Sequence, residues 1–595
     1  MNSTPTRIAQ VVPDLPTFSV DDGFSYAVPD GLVLGVGSMV RVPLGSRRVR
    51  GYVVSVRAGE AAGLKPVVAV SGDYPVFDEA LLQLLRWAAL HYVAPLSVLL
   101  GRAIPPNLPR GVAAPVTAPT PQVASPLPEL SREAAAGRHV RPTYLVRGGG
   151  YGDLIAGLAA EVVAAGRNVA VIAPTVHEAT RLKDELGRNF GERSVGVSSA
   201  LPAKEATARW VQANGSRGLI IVGTPEIALW PLGEPSLWVA VEEGRRAMKS
   251  KQTPTLQVKD VLRRRALVQR TTLALLGPVP TLDTLVRGAE VDEPAGRVWP
   301  LVELVDRRDD RVGAGGVGEQ VVRAVRGVVQ RDGQVFVFVT RRGYAPAFRC
   351  VRCRELRRCP ECGAGPDRRD VCRRCGAALG PCEQCEGRRF EPLGIGLGRA
   401  LEDLKRYLGG DRVGEVGSNR QILVGTERDL PYVPETALSV AVDADSLLLA
   451  PHYRAEEDAV RTLARVVLTV ARGRGRRAMI QTSQPSHRAL AALRGGHPLG
   501  YLRDLATERE RDGLPPATEL LAIEVRGDAG AAAADIAKLA GTRVRIHGPE
   551  EGGARTRWFL QAESLQQSRV LLRPMVQSWR DGGSTVRIDA DPIDL

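Results

Sequence analysis

The chain has 595 residues, 44% of them apolar and 25% charged, with a formal net charge of +14. That length suits roughly three to five packed domains of about 100–200 residues each, and the composition excludes a disordered polyelectrolyte. No apolar run approaches the ~18–20 residues needed to span a bilayer, and the opening MNSTPTRIAQVVPDLPTF lacks the basic-then-apolar pattern of a secretory signal. A cytoplasmic address without membrane contact is therefore expected. The positive balance, mostly Arg, favours an anionic partner, and nucleic acid is the commonest. The same Arg-, Ala-, Gly- and Val-rich usage also follows from a GC-rich genome, so charge alone decides little.

In chain order, residues 1–108 begin with β-rich stretches (VRVPL, VRGYVVSV) broken by Gly and Pro turns, the pattern of a small β-domain. The spacing of Leu81, Leu84, Leu85, Ala88 and Leu99 predicts helices packed on it. Residues 109–142 are Pro- and Ala-rich without a periodic core and read as a linker. From Thr143 short apolar strands alternate with helical stretches: TYLV, NVAVIAP, LIIVGT, LWVAV and TLALLG, then VFVFVT, ILVGT and LSVAVDAD. This texture predicts two parallel α/β domains, over 143–288 and over 318–348 with 391–488. A cysteine-rich insert, 349–390, interrupts the second. Residues 489–595 read as a small α+β domain, so the fold class is multidomain α/β.

All eight cysteines lie between Cys350 and Cys385. They form four C-x2-C pairs: Cys350 with Cys353, Cys359 with Cys362, Cys372 with Cys375, and Cys382 with Cys385. Each pair can bend into a knuckle whose two thiolates supply half of a tetrahedral zinc site. Gly363 and Gly376 follow their second cysteines, where the tight turn favours glycine. Four pairs make two closed four-thiolate sites, which predicts two structural Zn2+ ions per chain and no catalytic one.

The residues around this cluster resemble the PriA family of bacterial replication-restart proteins (primosomal protein N′). VFVFVTRRGYAPAFRCVRC is similar to the family's entry into its cysteine-rich region. FSVDDGFSYAVP (Phe18–Pro29) with VRVPLG resembles its N-terminal DNA-binding domain. The stretch from Val424 to Glu457 resembles its second helicase lobe, and IDADP its C-terminus. The resemblance implies an N-terminal β-rich DNA-binding domain, two RecA-like helicase-type lobes, and a nested zinc arrangement. Cys350, Cys353, Cys382 and Cys385 would form the outer site, and Cys359, Cys362, Cys372 and Cys375 the inner one. It also implies partners: forked and single-stranded DNA, single-stranded-DNA-binding protein, and the primosome proteins that load the replicative helicase. A nucleoid-associated location follows. The stretch before Thr143 is too short for the winged-helix domain that the family places there.

The ATP site departs from the family pattern. Where PriA carries G-x-x-x-x-G-K-[ST], this chain reads GGGYGDL, with Gly148, Gly149, Gly150 and Gly152 but Asp153 and Leu154 in place of the lysine and the magnesium-binding hydroxyl. The family's D-E-E-H is Val241-Glu242-Glu243-Gly244, and its S-A-T is Gly277-Pro278-Val279. An acid in place of the phosphate cation adds repulsion, and loss of the Asp leaves Mg2+ unheld. No catalytic residue is therefore expected, and ATP with Mg2+ is not expected to turn over. The expected DNA contacts are Gly45, Arg341, Arg342 and the TVARGRGRR loop with Arg472, Arg474 and Arg476; Ser25 replaces an Asp that helps the family hold a 3′ DNA end. The expected function is a replication-restart protein that binds stalled forks and helps reload the helicase without unwinding DNA itself. The alternatives are an active ATP-dependent 3′→5′ DNA helicase and a zinc-ribbon interaction protein without fork specificity.

Overall fold

The computed structural model of the chain describes residues 7–593, apart from 112, 114–115, 117–118, 295–298, 309–315, 341–346, 362–370, 373–375, 394–395, 451, 542 and 553–554. The N-terminal part is a five-stranded antiparallel sheet in the order Phe24–Val28, Arg7–Pro13, Arg47–Ala58, Met39–Leu44, Ala69–Ser71. Ala9, Val11, Val40, Val42 and Val53 line its core. The helix Glu79–His91 starts on the Asp78 carboxylate, which accepts the Leu81 N–H at 2.7 Å. Its Leu81, Leu84, Leu85 and Ala88 are fully buried, as is Leu99 in the next helix, Leu96–Ala103.

The first α/β lobe is a seven-stranded, wholly parallel sheet: Glu290–Asp292, Thr143–Val146, Thr272–Gly277, Pro235–Val241, Asn168–Ile172, Ile220–Gly223, Ser194–Val197. Its central strands are buried along their whole length, as sheets covered by helices on both faces require. The second lobe is a six-stranded parallel sheet: Leu301–Asp306, Arg477–Thr482, Leu438–Ala441, Val335–Phe338, Ile422–Gly425, Val413–Glu415. At the root of the cysteine-rich insert, Ala347–Cys350 pairs antiparallel with Phe390–Leu393. The chain ends in a four-stranded antiparallel sheet, Arg545–Gly552, Arg555–Ala562, Glu519–Arg526, Thr585–Ala590.

Three stretches differ from the sequence-based boundaries. Within 109–142 an eight-residue helix, Pro128–Ala135, packs Leu130 and Ala134 onto the first lobe, and its Ser131 hydroxyl donates to the Leu158 carbonyl at 3.1 Å. Two turns with so few apolar positions leave almost no period to detect. The strand Glu290–Asp292 extends the first sheet past 288, and Leu301–Asp306 begins the second before 318; both are edge strands, where burial is partial and apolar patterning weak. The helices Arg488–Gly495 and Pro498–Arg511 bury Leu490, Leu493 and Leu502 in the core of the second lobe, not in the terminal sheet.

Buried charges join the lobes. Asp283 of the first lobe accepts from Arg454 of the second at 2.9 Å and faces Lys259 at 3.1 Å. Glu457 accepts the Leu282 N–H at 3.1 Å and pairs with Arg509 at 3.1 Å. These side chains are almost wholly out of water: Glu457 is 0% exposed, Lys259 2% and Asp283 3%. Burial pushes the Asp283 carboxyl up, but Lys259 and Arg454 hold it well below the usual carboxylate range. Its stabilising contribution is therefore complete above its unfolded pKa of about 4 and is lost as pH falls further. Asp283→Asn leaves two buried cations short of a partner and is expected to cost about 3–5 kcal/mol at neutral pH. Urea unfolding of both proteins should show the gap at pH 7 and its narrowing below about pH 4.

Candidate functional site

The cleft between the lobes is where the nucleotide of a two-lobed motor would sit; the chain's own side chains crowd its phosphate-loop end, and a cavity of about 380 Å3 remains between Gly244–Arg246 and Asp458, Arg461 and Arg465 of the second lobe. Gly150, at φ +66°, opens the helix Tyr151–Ala164, so the strand–glycine–helix frame of a phosphate loop is kept. Its occupants are different. The Tyr151 hydroxyl donates to Glu242 Oε1 and to the Arg147 carbonyl, each at 3.3 Å. Asp153 is exposed in the first helical turn, and Glu185 presses its carboxylate against Gly152. Carboxylates thus stand where phosphates would need donors. Arg147 is turned away to Asp292 at 2.8 Å.

Glu242 is held in a left-handed backbone conformation, φ +51°. Its carboxylate meets Arg465 of the second lobe at 3.0 Å and Arg245 at 3.3 Å, while Arg245 also pairs with Glu178 at 2.5 Å. Burial lowers the Arg245 pKa, but Glu242 and Glu178 more than offset it, so the guanidinium stays charged. Glu243 has turned inward to accept from the Thr281 amide at 3.1 Å and from the Thr284 hydroxyl at 2.6 Å.

Three glycines lie where neighbouring side chains crowd the cleft. A Cβ on Gly148 would lie 2.9 Å from Leu468 of the second lobe. A Cβ on Gly244 would overlap the Arg461 guanidinium, and one on Gly277 would lie 2.5 Å from the Tyr144 hydroxyl. At each of these glycines a neighbouring side chain takes the space a Cβ would need, and two of those neighbours come from the opposite lobe. Sequence reading identified the losses but not the fillers, because no local signal links Leu468 or Arg461 to a glycine hundreds of residues earlier.

The cysteine cluster is the candidate metal centre. The Sγ atoms of Cys350, Cys353, Cys382 and Cys385 all lie within 4.8 Å of one another, with Cys350–Cys385 and Cys353–Cys382 at 3.5 Å. Tetrahedral zinc with ~2.3 Å bonds places sulfurs about 3.8 Å apart, so the four thiols fit such an ion. The two knuckles share one hydrogen-bond pattern. Arg354 N–H donates to the Cys350 carbonyl at 3.0 Å and Glu386 N–H to that of Cys382 at 2.7 Å. In turn the Cys350 and Cys382 amides donate to Glu355 and Gly387 carbonyls at 2.8 and 2.9 Å. The residue after the second cysteine is left-handed in both, Arg354 at φ +68° and Glu386 at φ +57°. Burial raises the Cys350 thiol, but the Cys353 and Arg352 amides and hydrogen bonds from Cys385 and Cys353 bring it down to about 7, while burial and the same sharing push Cys353 up to about 12, as expected of thiols held this close together.

Cys372 repeats the same turn: Gly376 N–H donates to its carbonyl and its own amide to Ala377, both at 2.9 Å, with Gly376 at φ +76°. Cys359 and Cys372 are buried together beside Ala377 and Leu379. Cys362, Cys375 and Gly363 lie outside the described residues, as do Arg341 and Arg342.

In the N-terminal domain, Gly45 at φ +60° opens the two-residue turn between Met39–Leu44 and Arg47–Ala58, and nothing lies near a Cβ there. The turn selects glycine for its backbone, not for space. Arg41, Arg47 and Arg48 on this hairpin are exposed, with no acidic partner among the described residues. Tyr26 ties the neighbouring strand to the hairpin through the Pro43 carbonyl at 3.1 Å, Ser25 donates to Gln10 at 2.9 Å, and Phe24 is 40% exposed. Arg472, Arg474 and Arg476 lie together on an exposed loop of the second lobe, away from this hairpin in the chain.

Comparison with known proteins agrees with this layout. Residues 10–105 match the family model of the PriA 3′ DNA-binding domain. The chain is a PriA relative. It is 28% identical over 524 residues to the probable replication restart protein PriA of Deinococcus radiodurans, covering 78% of this chain and 56% of that one. It is 27% identical over 569 residues to its counterpart in Mycobacterium tuberculosis, covering 86% and 85%. This chain thus spans little more than half of the Deinococcus PriA. Among solved structures, RecG bound to a three-way DNA junction aligns over 71% of this chain and 52% of that one, at 12% identity and a TM-score of 0.35. Within the PriA frame, the outer cysteine set is the best-defined site. Cys382→Ser is expected to release one equivalent of bound metal and to expose the Ala347–Cys350 and Phe390–Leu393 ladder to amide exchange, since structural metal contributes directly to folding. Metal analysis with hydrogen exchange checks both.

Proposed function

We propose that the protein binds stalled or abandoned replication forks, and helps reload the replicative helicase there as a scaffold that does not hydrolyse ATP. The observation that carries this reading is the match of residues 10–105 to the PriA 3′ DNA-binding domain, on a chain that has Asp153 and Val241 where the family's phosphate lysine and magnesium-holding acid would stand. The exposed arginines of the Gly45 hairpin support contact with phosphate, and contact of that kind weakens with salt through counterion release. With Ser25 bonded to Gln10, a charged group for a 3′ hydroxyl is missing from the triplet, so fork shape, not the strand end, would direct binding. The frame is proposed to hold two zinc ions, the outer on Cys350, Cys353, Cys382 and Cys385, the inner on Cys359, Cys362, Cys372 and Cys375. Zinc in such closed sites supplies folding energy and no chemistry. The proposed partners are forked and single-stranded DNA, single-stranded-DNA-binding protein and the helicase-loading proteins of the primosome, in the cytoplasm at the nucleoid.

Two measurements decide this reading. Forked DNA should bind more tightly than blunt duplex, with an affinity that ATP and Mg2+ do not change. DNA-stimulated ATP hydrolysis should stay at background in the unaltered protein, and Asp153→Lys should not restore it while Val241 leaves magnesium unheld. Arginine-finger contacts alone are worth about 10³–10⁵ in rate in phosphoryl transfer. Loss of both the phosphate lysine and the metal-holding acid is expected to be no milder. Turnover above background that Glu242→Gln abolishes would instead make the protein a divergent helicase.

A further inference from the structure

A second cavity, of about 400 Å3, opens at the edge of the second lobe beside the start of the strand Leu301–Asp306. Its volume lies within the ~300–1,000 Å3 range of small-ligand sites. It is lined by the apolar Trp299, Pro300, Leu301 and Val470 and by the loop bearing Arg472 and Arg476. The indole is a fixed platform. Trp299 packs on the core of the second lobe and lies against Gly496, whose φ of +78° ends the helix Arg488–Gly495 and where a Cβ would come 3.4 Å from the tryptophan. The opposing arginines are free to act: Arg472, Arg474 and Arg476 are exposed, and none has an acidic partner among the described residues. The nearby acid, Glu303, is already neutralised by Arg477 at 3.2 Å.

A partly buried indole and exposed guanidiniums lining one cavity suit a ligand that is aromatic and anionic at once. We infer that this pocket seats an unpaired base of single-stranded DNA, with Trp299 against its face and Arg472 and Arg476 on the flanking phosphates. The inference rests on the fork-binding reading and adds to it the place where a single-stranded arm is held. A duplex base cannot enter, because its faces are stacked, whereas every unpaired base offers a π-face to such a platform. An acidic peptide would need only the arginines and would leave the indole without a role.

The test is fluorescence anisotropy of a short labelled oligothymidylate, a blunt duplex and a fork with the full chain. Trp299→Ala is expected to weaken oligothymidylate binding about tenfold or more while leaving blunt duplex within about twofold. The double variant Arg472→Ala, Arg476→Ala, both on an exposed loop and so expected to fold, should flatten the oligothymidylate salt dependence by roughly 1.4 in log–log slope. Unchanged oligothymidylate affinity in the arginine variant, or equal losses on oligothymidylate and blunt duplex, would overturn the inference. So would an acidic peptide that binds the unaltered protein but not the arginine variant, with oligothymidylate binding intact in both. If the unaltered protein binds forks and only these variants behave like it, this pocket alone is refuted; if the unaltered protein ignores forks, the fork-binding reading fails as well.

Discussion

The Glu242 carboxylate is shared across the boundary between the two lobes. Its strongest partner, Arg465 at 3.0 Å, belongs to the second lobe, while Arg245 and Tyr151 belong to the first. Glu457 is placed the same way from the other side, accepting from the Leu282 amide across the interface, and Arg454 reaches back to Asp283. Parting the lobes would strand several of these groups half-paired at a low-dielectric surface, and an uncompensated buried charge costs several kcal/mol. A two-lobed motor needs hinge or shear movement around its ligand, with alternating contacts of similar free energy. Here several buried charged contacts cross from one lobe to the other in the arrangement described.

Such pairing extends to both ends of the chain. Lys249, just past the cleft, pairs with Asp589 at 2.6 Å and donates to the Ala590 and Asp591 carbonyls at 2.9 and 2.7 Å. Burial pulls the Lys249 ammonium below its usual pKa, with Asp589 opposing. The terminal domain grips the N-terminal one in turn: Arg573 pairs with Asp21, and Gln577 accepts from the Thr17 hydroxyl at 2.9 Å and the Phe18 amide at 3.1 Å. The N-terminal module is also anchored to the first lobe, where Trp210 donates to the Ala103 carbonyl and Tyr92 accepts the Gln257 amide, both at 3.0 Å. DNA held on the Gly45 hairpin would therefore keep a fixed orientation to the lobes and to the second-lobe pocket.

Much of this was legible in the sequence, and what was not has physical reasons. Buried central strands such as NVAVI and TLALLG announce themselves because every residue is apolar, whereas the edge strands Glu290–Asp292 and Leu301–Asp306 are half wet and carry no such signal. The cysteine spacing gave the knuckles; glycine was a poorer guide to their turns, since Arg354 and Glu386 adopt the left-handed conformation that glycine was expected to mark. The missing lysine and Asp of the nucleotide site were plain. What filled the space depended on contacts between residues far apart in the chain, such as Gly244 with Arg461, and no local pattern encodes these. Trp299 stayed hidden for the same reason: its importance comes from Gly496 behind it and the arginine loop in front, which only the folded chain brings together.

The three glycines also bear on how the cleft is packed. Each replacement removed volume at the interface, and a close-packed interior does not keep voids without cost. Leu468, the Arg461 guanidinium and the Tyr144 hydroxyl now occupy that volume beside Gly148, Gly244 and Gly277. Reintroducing any one of the lost side chains would force its filler to move, and overpacking of this sort costs about 1–3 kcal/mol at each site. Arg461 would have to move against its ion pair with Asp458, and Tyr144 against burial that holds its phenol protonated well above the ordinary range. Two of these contacts, Gly148 with Leu468 and Gly244 with Arg461, cross from one lobe to the other, and the third lies within the first. The α/β sheets keep cores of their own on the faces away from the cleft, so the frame does not depend on what the cleft holds.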